Sequence, residues 1–205
     1  MIYEIRTYGI AVGSLSEVEK RFGEAYPHRK KYSELAAFWH TEIGPLNEII
    51  HVWPYQDLGE RARIRAEVAK EPNWPPKIGE FIRTMHSEIL VPFPFSPQIT
   101  PGKLGPIFEM RIYTVRQGML PDIRKAWEAS LPERIKLSPL VVAGNIDLGE
   151  ANRFINIWAY ASLDQRAAIR TQALQSGLWP PGGGAQRLLT QANKIMVPSA
   201  FSPLQ

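Results

Sequence analysis

A chain of 205 residues with 44% apolar content can fill one large domain or two small ones and is too hydrophobic to be disordered. Its formal charge of +4, from 24 basic and 20 acidic side chains spread along the chain with no run of five or more like charges, argues against a nucleic-acid partner, and the absence of cysteine excludes disulfides, thiolate nucleophiles and thiolate metal ligands. No apolar run approaches the roughly 18 residues of a membrane span, and a strand pattern beginning at residue 2 leaves no room for a leader, so a cytoplasmic location is expected.

Ile2 to Ile10 alternates, with Tyr3, Ile5 and Thr7 on one face and Glu4, Arg6 and Tyr8 on the other, which predicts a strand. Ser14-Leu15-Ser16-Glu17 has the form of a capping box and opens a helix with Leu15, Val18, Phe22 and Ala25 on its apolar face. Pro27 is expected to kink or interrupt this helix before Ser33. Ala36 to Ile43 and Asn47 to Tyr55 read as strands across a Gly44-Pro45 turn and form a hairpin. In the second of them Ile49, His51, Trp53 and Tyr55 share a face. Asp57-Leu58-Gly59-Glu60 is another capping box, starting a helix to about Lys70 with Leu58, Ala62, Arg65, Ala66 and Ala69 near one stripe. Beyond Trp74-Pro75-Pro76, Ile78 to Met85 reads as helical and Glu88 to Val91 as the last strand. The order βαββαβ is the ferredoxin-like motif.

Residues 98 to 106 carry two prolines and two glycines and read as a linker between a domain at 1–97 and another at 107–205. The order then repeats: a helix over Met119 to Leu131, strands over Leu140 to Asp147 and Phe154 to Tyr160, and a third capping box at Ser162-Leu163-Asp164-Gln165. Phe108-Glu109-Met110-Arg111-Ile112-Tyr113 copies Tyr3-Glu4-Ile5-Arg6-Thr7-Tyr8. His51 to Pro76 aligns without gaps on Asn156 to Pro181 with ten identities in 26 positions, where chance gives about one or two, so the chain is a tandem duplication. The offset of 105 becomes 106 by Phe201-Ser202-Pro203, which places one inserted residue near Gly182-Gly183-Gly184. Each βαββαβ unit leaves one sheet face bare, and two such faces pressed together bury each other in a closed or nearly closed α+β barrel built from one chain. The Glu, Arg and Tyr face of the first strands is expected to point into that barrel.

Tyr3 to Tyr8, Arg29 to Leu35, Phe38-Trp39-His40-Thr41-Glu42-Ile43-Gly44-Pro45-Leu46-Asn47, His51-Val52-Trp53-Pro54-Tyr55 with Arg61-Ala62, and Ile89-Leu90-Val91-Pro92 together resemble the NIPSNAP family. The resemblance spans the first half and, more weakly, the second. It implies the dimeric α/β-barrel superfamily fold, whose other members include cofactor-independent monooxygenases, haem-processing enzymes and small-molecule binders. It brings no established reaction.

Candidate site residues follow from that interior face. Glu4 with Arg6, and Glu109 with Arg111, are either buried ion pairs or, through the guanidinium, receivers of a ligand carboxylate. Tyr8, Tyr113, Trp53 and Tyr55 are candidate pocket walls, and Trp158 and Tyr160 match the last two. His40 and His51 are the candidate catalytic bases; with Glu42 or Glu4 they are also the residue types of a two-histidine, one-carboxylate metal set. The second half has Asn145 and Asn156 at the histidine positions. No metal or cofactor motif is present, and Gly182-Gly183-Gly184 lacks the lysine of a phosphate loop. Arg61, Arg65, Arg166 and Arg170 read as a solvated or subunit-contacting helix face. The expectation is therefore a small-molecule site inside the barrel, with cofactor-free oxygenase chemistry as its enzymatic form. The alternative is a scaffold recruiting partners, or a second copy, through its outer surface and the Phe93-Pro94-Phe95 tail.

Overall fold

The computed structural model describes residues 1–177 and 179–205. The first half contributes β1 (Ile2–Ile10), α1 (Leu15–Lys30), β2 (Ala37–Ile43), β3 (Glu48–Tyr55), α2 (Leu58–Val68) and β4 (Ile82–Pro92). The second contributes β5 (Ile107–Val115), α3 (Leu120–Arg134), β6 (Leu140–Leu148), β7 (Arg153–Tyr160), α4 (Leu163–Gln175), the short α5 (Gly184–Arg187) and β8 (Leu188–Pro198). The strands close into one antiparallel ring in the order β1-β3-β2-β8-β5-β7-β6-β4. Each half supplies four neighbouring strands, and the halves join at two seams, β2 with β8 and β4 with β6.

The interior of the ring is apolar. Tyr3 and Ile5 of β1, Trp39 of β2, Ile50 and Val52 of β3, and their counterparts Phe108, Met110, Ile155 and Ile157 form one buried cluster drawn from both halves. An eight-stranded barrel encloses just enough room for side chains to fill, and an ion pair placed there would lose its hydration without ready compensation. The alternation of β1 is therefore resolved opposite to the sequence expectation: Tyr3 and Ile5 point inward, while Glu4, Arg6 and Tyr8 point outward toward the helices. Tyr8, Trp53 and Tyr55 pack with Val18 and Phe22 of α1 and Ile64 and Val68 of α2 in a second cluster, and the second half repeats this layer.

Four local expectations change. Pro27 lies within α1, which runs on to Lys30. Ser14 has helical backbone angles and donates to the Ala11 carbonyl at 2.6 Å instead of capping. Asp57 and Ser162 have the extended geometry a cap needs, and each accepts from the amide three residues on. Ile82 to Met85, expected to be helical, is strand: β4 pairs with β1 from Tyr3↔Leu90 out to Ile10↔Ile82, leaving only a single 3-10 turn at Gly79–Phe81. The buried stripe of α2 is Ile64 and Val68, not the stripe through Leu58 and Ala62.

The tails cross over. Phe93 packs against Phe154 and Phe95 in the second half's layer, whereas Phe201 packs on Phe22, Tyr26 and Phe38 in the first. Ser96 Oγ accepts from Ala143 N and Ser202 Oγ from Phe38 N, both at 2.9 Å. Of the expected recruiting tail, Phe93 is therefore core and Phe95 half-buried, and Pro94 is left exposed. The 98–106 segment is pinned as well: Gly102 bridges Leu204, and Ile99 N donates to the Tyr3 hydroxyl at 3.0 Å.

Candidate functional site

Between sheet and helices each half encloses a cavity. The one in the first half, about 400 Å³, is walled by Glu4, Arg6 and Tyr8 of β1, by His51, Trp53 and Tyr55 of β3, by Phe22 and Arg29 of α1, by Arg65 of α2 and by the Trp74 to Pro76 loop. Strand alternation places the polar residues there, since every second side chain of β1 and β3 leaves the barrel on this side. In register, Arg6 sits opposite His51 and Glu4 opposite Trp53.

Glu4 anchors the wall. Its Oε1 accepts from Arg6 at 2.8 Å, Arg61 at 2.7 Å and the Ser87 hydroxyl at 2.7 Å, with Arg65 at 3.6 Å. Burial alone raises the pKa of this carboxyl, but the hydrogen bonds from Arg61 and Ser87 and the charges of Arg6 and Arg61 outweigh it and hold the pKa down to about 2. Glu4 is thus a fixed anion and a weak base. Arg6 also donates from Nε to the Tyr8 hydroxyl at 2.6 Å. Burial raises the Tyr8 pKa, which keeps it a neutral phenol with a proton to donate.

Arg29 has a different status. It is 4% exposed, donates to the Ser33 hydroxyl at 2.7 Å and the Tyr55 hydroxyl at 3.1 Å, and lies 4.3 Å over the Trp53 ring. The carbonyl end of α1 and the indole face favour its charge. Among the described residues no carboxylate forms an ion pair with it, and burial pulls its pKa below the ordinary arginine value.

His51 is oriented by its neighbour. Trp53 Nε1 donates to His51 Nδ1 at 2.7 Å, so the ring carries its proton on Nε2, which is buried and has no partner among the described residues. Burial first, then the charge of Arg6, lowers its pKa from 6.5 to about 3. With Nδ1 occupied and Nε2 protonated, His51 is a hydrogen-bond donor to the cavity and not the expected general base. The unfolded chain takes up this proton first as pH falls, so the contribution of His51 to stability is complete above 6.5 and is lost toward 3. Denaturant titrations should show His51→Asn less pH-sensitive than wild type between about pH 6 and 4, by up to about 1.4 kcal/mol per pH unit. Parallel profiles for the two proteins would contradict a buried neutral imidazole.

The second half rebuilds the arrangement with different parts. Arg111 bonds Glu109 at 2.9 Å and Tyr113 at 2.5 Å, and Arg166 also reaches Glu109. Arg134 bonds Ser138 at 2.8 Å and Tyr160 at 3.1 Å, 4.1 Å above Trp158. Trp158 donates to Asn156 Oδ1 at 2.8 Å, leaving Asn156 Nδ2 without a partner among the described residues. Histidine and asparagine share one property at this position: each accepts from the indole and presents a second N–H.

Of the expected site residues, Glu4, Arg6, Tyr8, His51, Trp53 and Tyr55 converge on the first cavity, outside the barrel rather than inside it, and Arg111 and Tyr113 line the second. Glu109 is buried behind its arginines. His40 stands apart, its Nδ1 2.8 Å from Glu19, which also accepts from Ser199. Glu42 is exposed. The two histidines therefore do not form a pair, and among the described residues no three His, Asp or Glu side chains are grouped to hold a metal ion. Arg61 and Arg166 turn inward to the carboxylates instead of forming a solvated face. Arg29 and Arg134 were missed. The signal was available, because Pro27, Arg29 and Ser33 recur as Pro132, Arg134 and Ser138 at the same offset of 105.

Comparison with known proteins adds three findings. The NIPSNAP family model matches twice, over residues 3–97 and 108–203. Protein NipSnap homolog 3B of Homo sapiens is 28% identical over 216 residues, covering 99% of this chain and 85% of that protein, and NipSnap homolog 3A of the same organism is 27% identical over 218 residues, with 100% and 86% covered. A proposed monooxygenase from Lactobacillus acidophilus superposes with a TM-score of 0.71 over 97% of this chain and 94% of its own at 12% identity, which is a likeness of fold.

Proposed function

The chain belongs to the NIPSNAP family as a tandem two-repeat member, and from that premise we propose that it binds a small organic anion in the first-half cavity, between sheet and helices. The observation that carries this reading is Arg29, a buried guanidinium on the cavity wall without a carboxylate partner among the described residues. Burial of this cation is costly, and the Glu4 carboxylate on the same wall offsets it only through its charge, without an ion pair, so a ligand anion would be favoured here. Around it the wall offers donors: the Tyr8 hydroxyl, the His51 Nε2–H and Arg65. Phe22, Trp53 and Trp74 supply apolar area for the body of the ligand.

The same donors favour negative charge developing on an oxygen, as in a phenolate or enolate. Any turnover in this cavity would rest on that electrostatic stabilisation, because Glu4 is a weak base and His51 has no lone pair free. A cofactor-free oxygenation of an electron-rich anion is the enzymatic form compatible with these groups. The scaffold alternative would rest on the outer surface without Phe93, which is buried.

Calorimetry with aromatic and short aliphatic monocarboxylates tests the reading. Wild type should bind at least one of them, and Arg29→Met should weaken binding about tenfold or more with an unchanged circular dichroism spectrum. Equal affinity in both proteins would refute it.

A further inference from the structure

We infer that the second-half cavity is a separate site, specialised for an organic anion carrying at least two negative charges. It shares with the preceding reading the premise that a buried arginine without a counter-ion marks an anion, but its residues differ. The cavity is about 680 Å³ against about 400 Å³ in the first half. Two buried polar atoms of residues that line it lack partners among the described residues: Asn156 Nδ2, on a residue with 0% exposure, and Arg134 Nε, on a residue with 4%. Both are donors, and both belong to residues lining the cavity.

The extra room and charge trace to particular exchanges. Ala126 lines this cavity where the repeat has Arg21 in the first half, and the Gly182 to Gly184 run replaces Lys77 and the buried Ile78. Arg187 stands where the first half has Phe81, a correspondence fixed by the register of Val115↔Leu188 against Ile10↔Ile82. Arg187 donates to the Gly182 carbonyl at 2.7 Å and lies against Gly183. That glycine has φ +82°, a conformation that favours glycine, and a Cβ there would press on the guanidinium carbon at 3.0 Å. Gln191 replaces Met85 on the lining. The first cavity thus has three arginines and one carboxylate on its walls; the second has four arginines, Arg111, Arg134, Arg170 and Arg187, and no carboxylate. Arg134 and Asn156 receive one anionic group in the depth, Arg170 and Arg187 a second at the mouth, and Trp127, Trp158 and Trp179 hold the carbon skeleton between them.

The indole ¹H–¹⁵N resonances of the full chain, assigned with single Trp→Phe variants, read the two sites separately: Trp158 and Trp179 for the second, Trp53 and Trp74 for the first. Benzoate is the monoanionic probe; phthalate and phenyl phosphate are the dianionic ones, titrated at about pH 8, above the second phosphate pKa. Both dianions should shift Trp158 and Trp179 with affinities about tenfold above that of benzoate, and the tighter of the two identifies the head group. The variants Arg170→Gln and Arg187→Gln should abolish this advantage while leaving any benzoate response of Trp53 unchanged. The inference is overturned by a silent Trp158 with all three probes to about 10 mM, by equal affinity for benzoate and the dianions, or by a dianion preference that survives both substitutions. Loss of the Trp53 response in Arg29→Met with a persisting Trp158 response would support the second site independently of the first.

Discussion

Glu4→Gln should lower the stability of the chain by about 3–5 kcal/mol, the range for removing one partner of a buried ion cluster. The side chain keeps its size but no longer neutralises Arg6 and Arg61, which reach it at 2.8 and 2.7 Å. A second route gives a similar figure. The carboxyl titrates at about 2 instead of 4.5, and that difference corresponds to about 3 kcal/mol at neutral pH. The sign follows from the direction of the shift. The folded pKa lies below the unfolded one, so this stability is complete above 4.5 and is lost as pH falls toward 2. Urea titrations across that window should therefore show a steep decline in wild type and a shallower one in Glu4→Gln. The remaining decline belongs in part to Glu109, whose pKa is also lowered, with hydrogen bonding to Arg166 and the charge of Arg111 overcoming burial. A cost below about 1 kcal/mol would mean that water already screens the arginines.

Trp39→Ala is the second large effect, expected at about 3–5 kcal/mol. Trp39 has 0% exposure, faces the barrel interior and packs at 5.3 Å from the Phe108 ring. The matching position of the repeat is Gly144, where an added Cβ would lie 2.3 Å from the Val91 carbonyl oxygen, so the neighbouring backbone closes that side. Truncating the indole leaves a void that no equivalent side chain can fill from the other half. Trp39→Phe should recover much of the loss, and thermal denaturation of the three proteins separates void formation from disruption of the β2–β8 seam. A loss near zero for Trp39→Ala would show that the interior collapses freely.

How much of this could be read in advance depended on the range of the interaction concerned. The ferredoxin-like order, the duplication and the barrel were legible because alternation, capping boxes and the 105-residue offset are local or repeated signals. Which face of β1 turned inward was not. Alternation separates Tyr3 and Ile5 from Glu4 and Arg6 but carries no sign, and the polar set was assigned to the wrong side. The sign is set by the second sheet, whose own apolar set, Phe108 and Met110, must close against the first. His51 is legible as a candidate residue, but its tautomer, which decides between base and donor, depends on the Trp53 hydrogen bond two residues away. Arg29 carries no local sign of burial, and only the continuation of α1 past Pro27 and its packing on Trp53 and Tyr55 bury it. Ile82 to Met85 followed a helical spacing that the hydrogen-bonding demand of β1 overrode.

The pairing of Trp39 with Gly144 at corresponding places in the two halves bears on how such a ring can change. In a ring of two identical chains every substitution is made twice, once at each seam, and a tryptophan welcome at one would collide with the Val91 backbone at the other. Covalent fusion halves the dosage of each substitution. One half can then hold the circle shut while the other drifts, and the pseudo-twofold axis becomes a memory of ancestry instead of a constraint. The unequal cavities, with histidine in one and asparagine in the other, are the freedom that this broken symmetry confers.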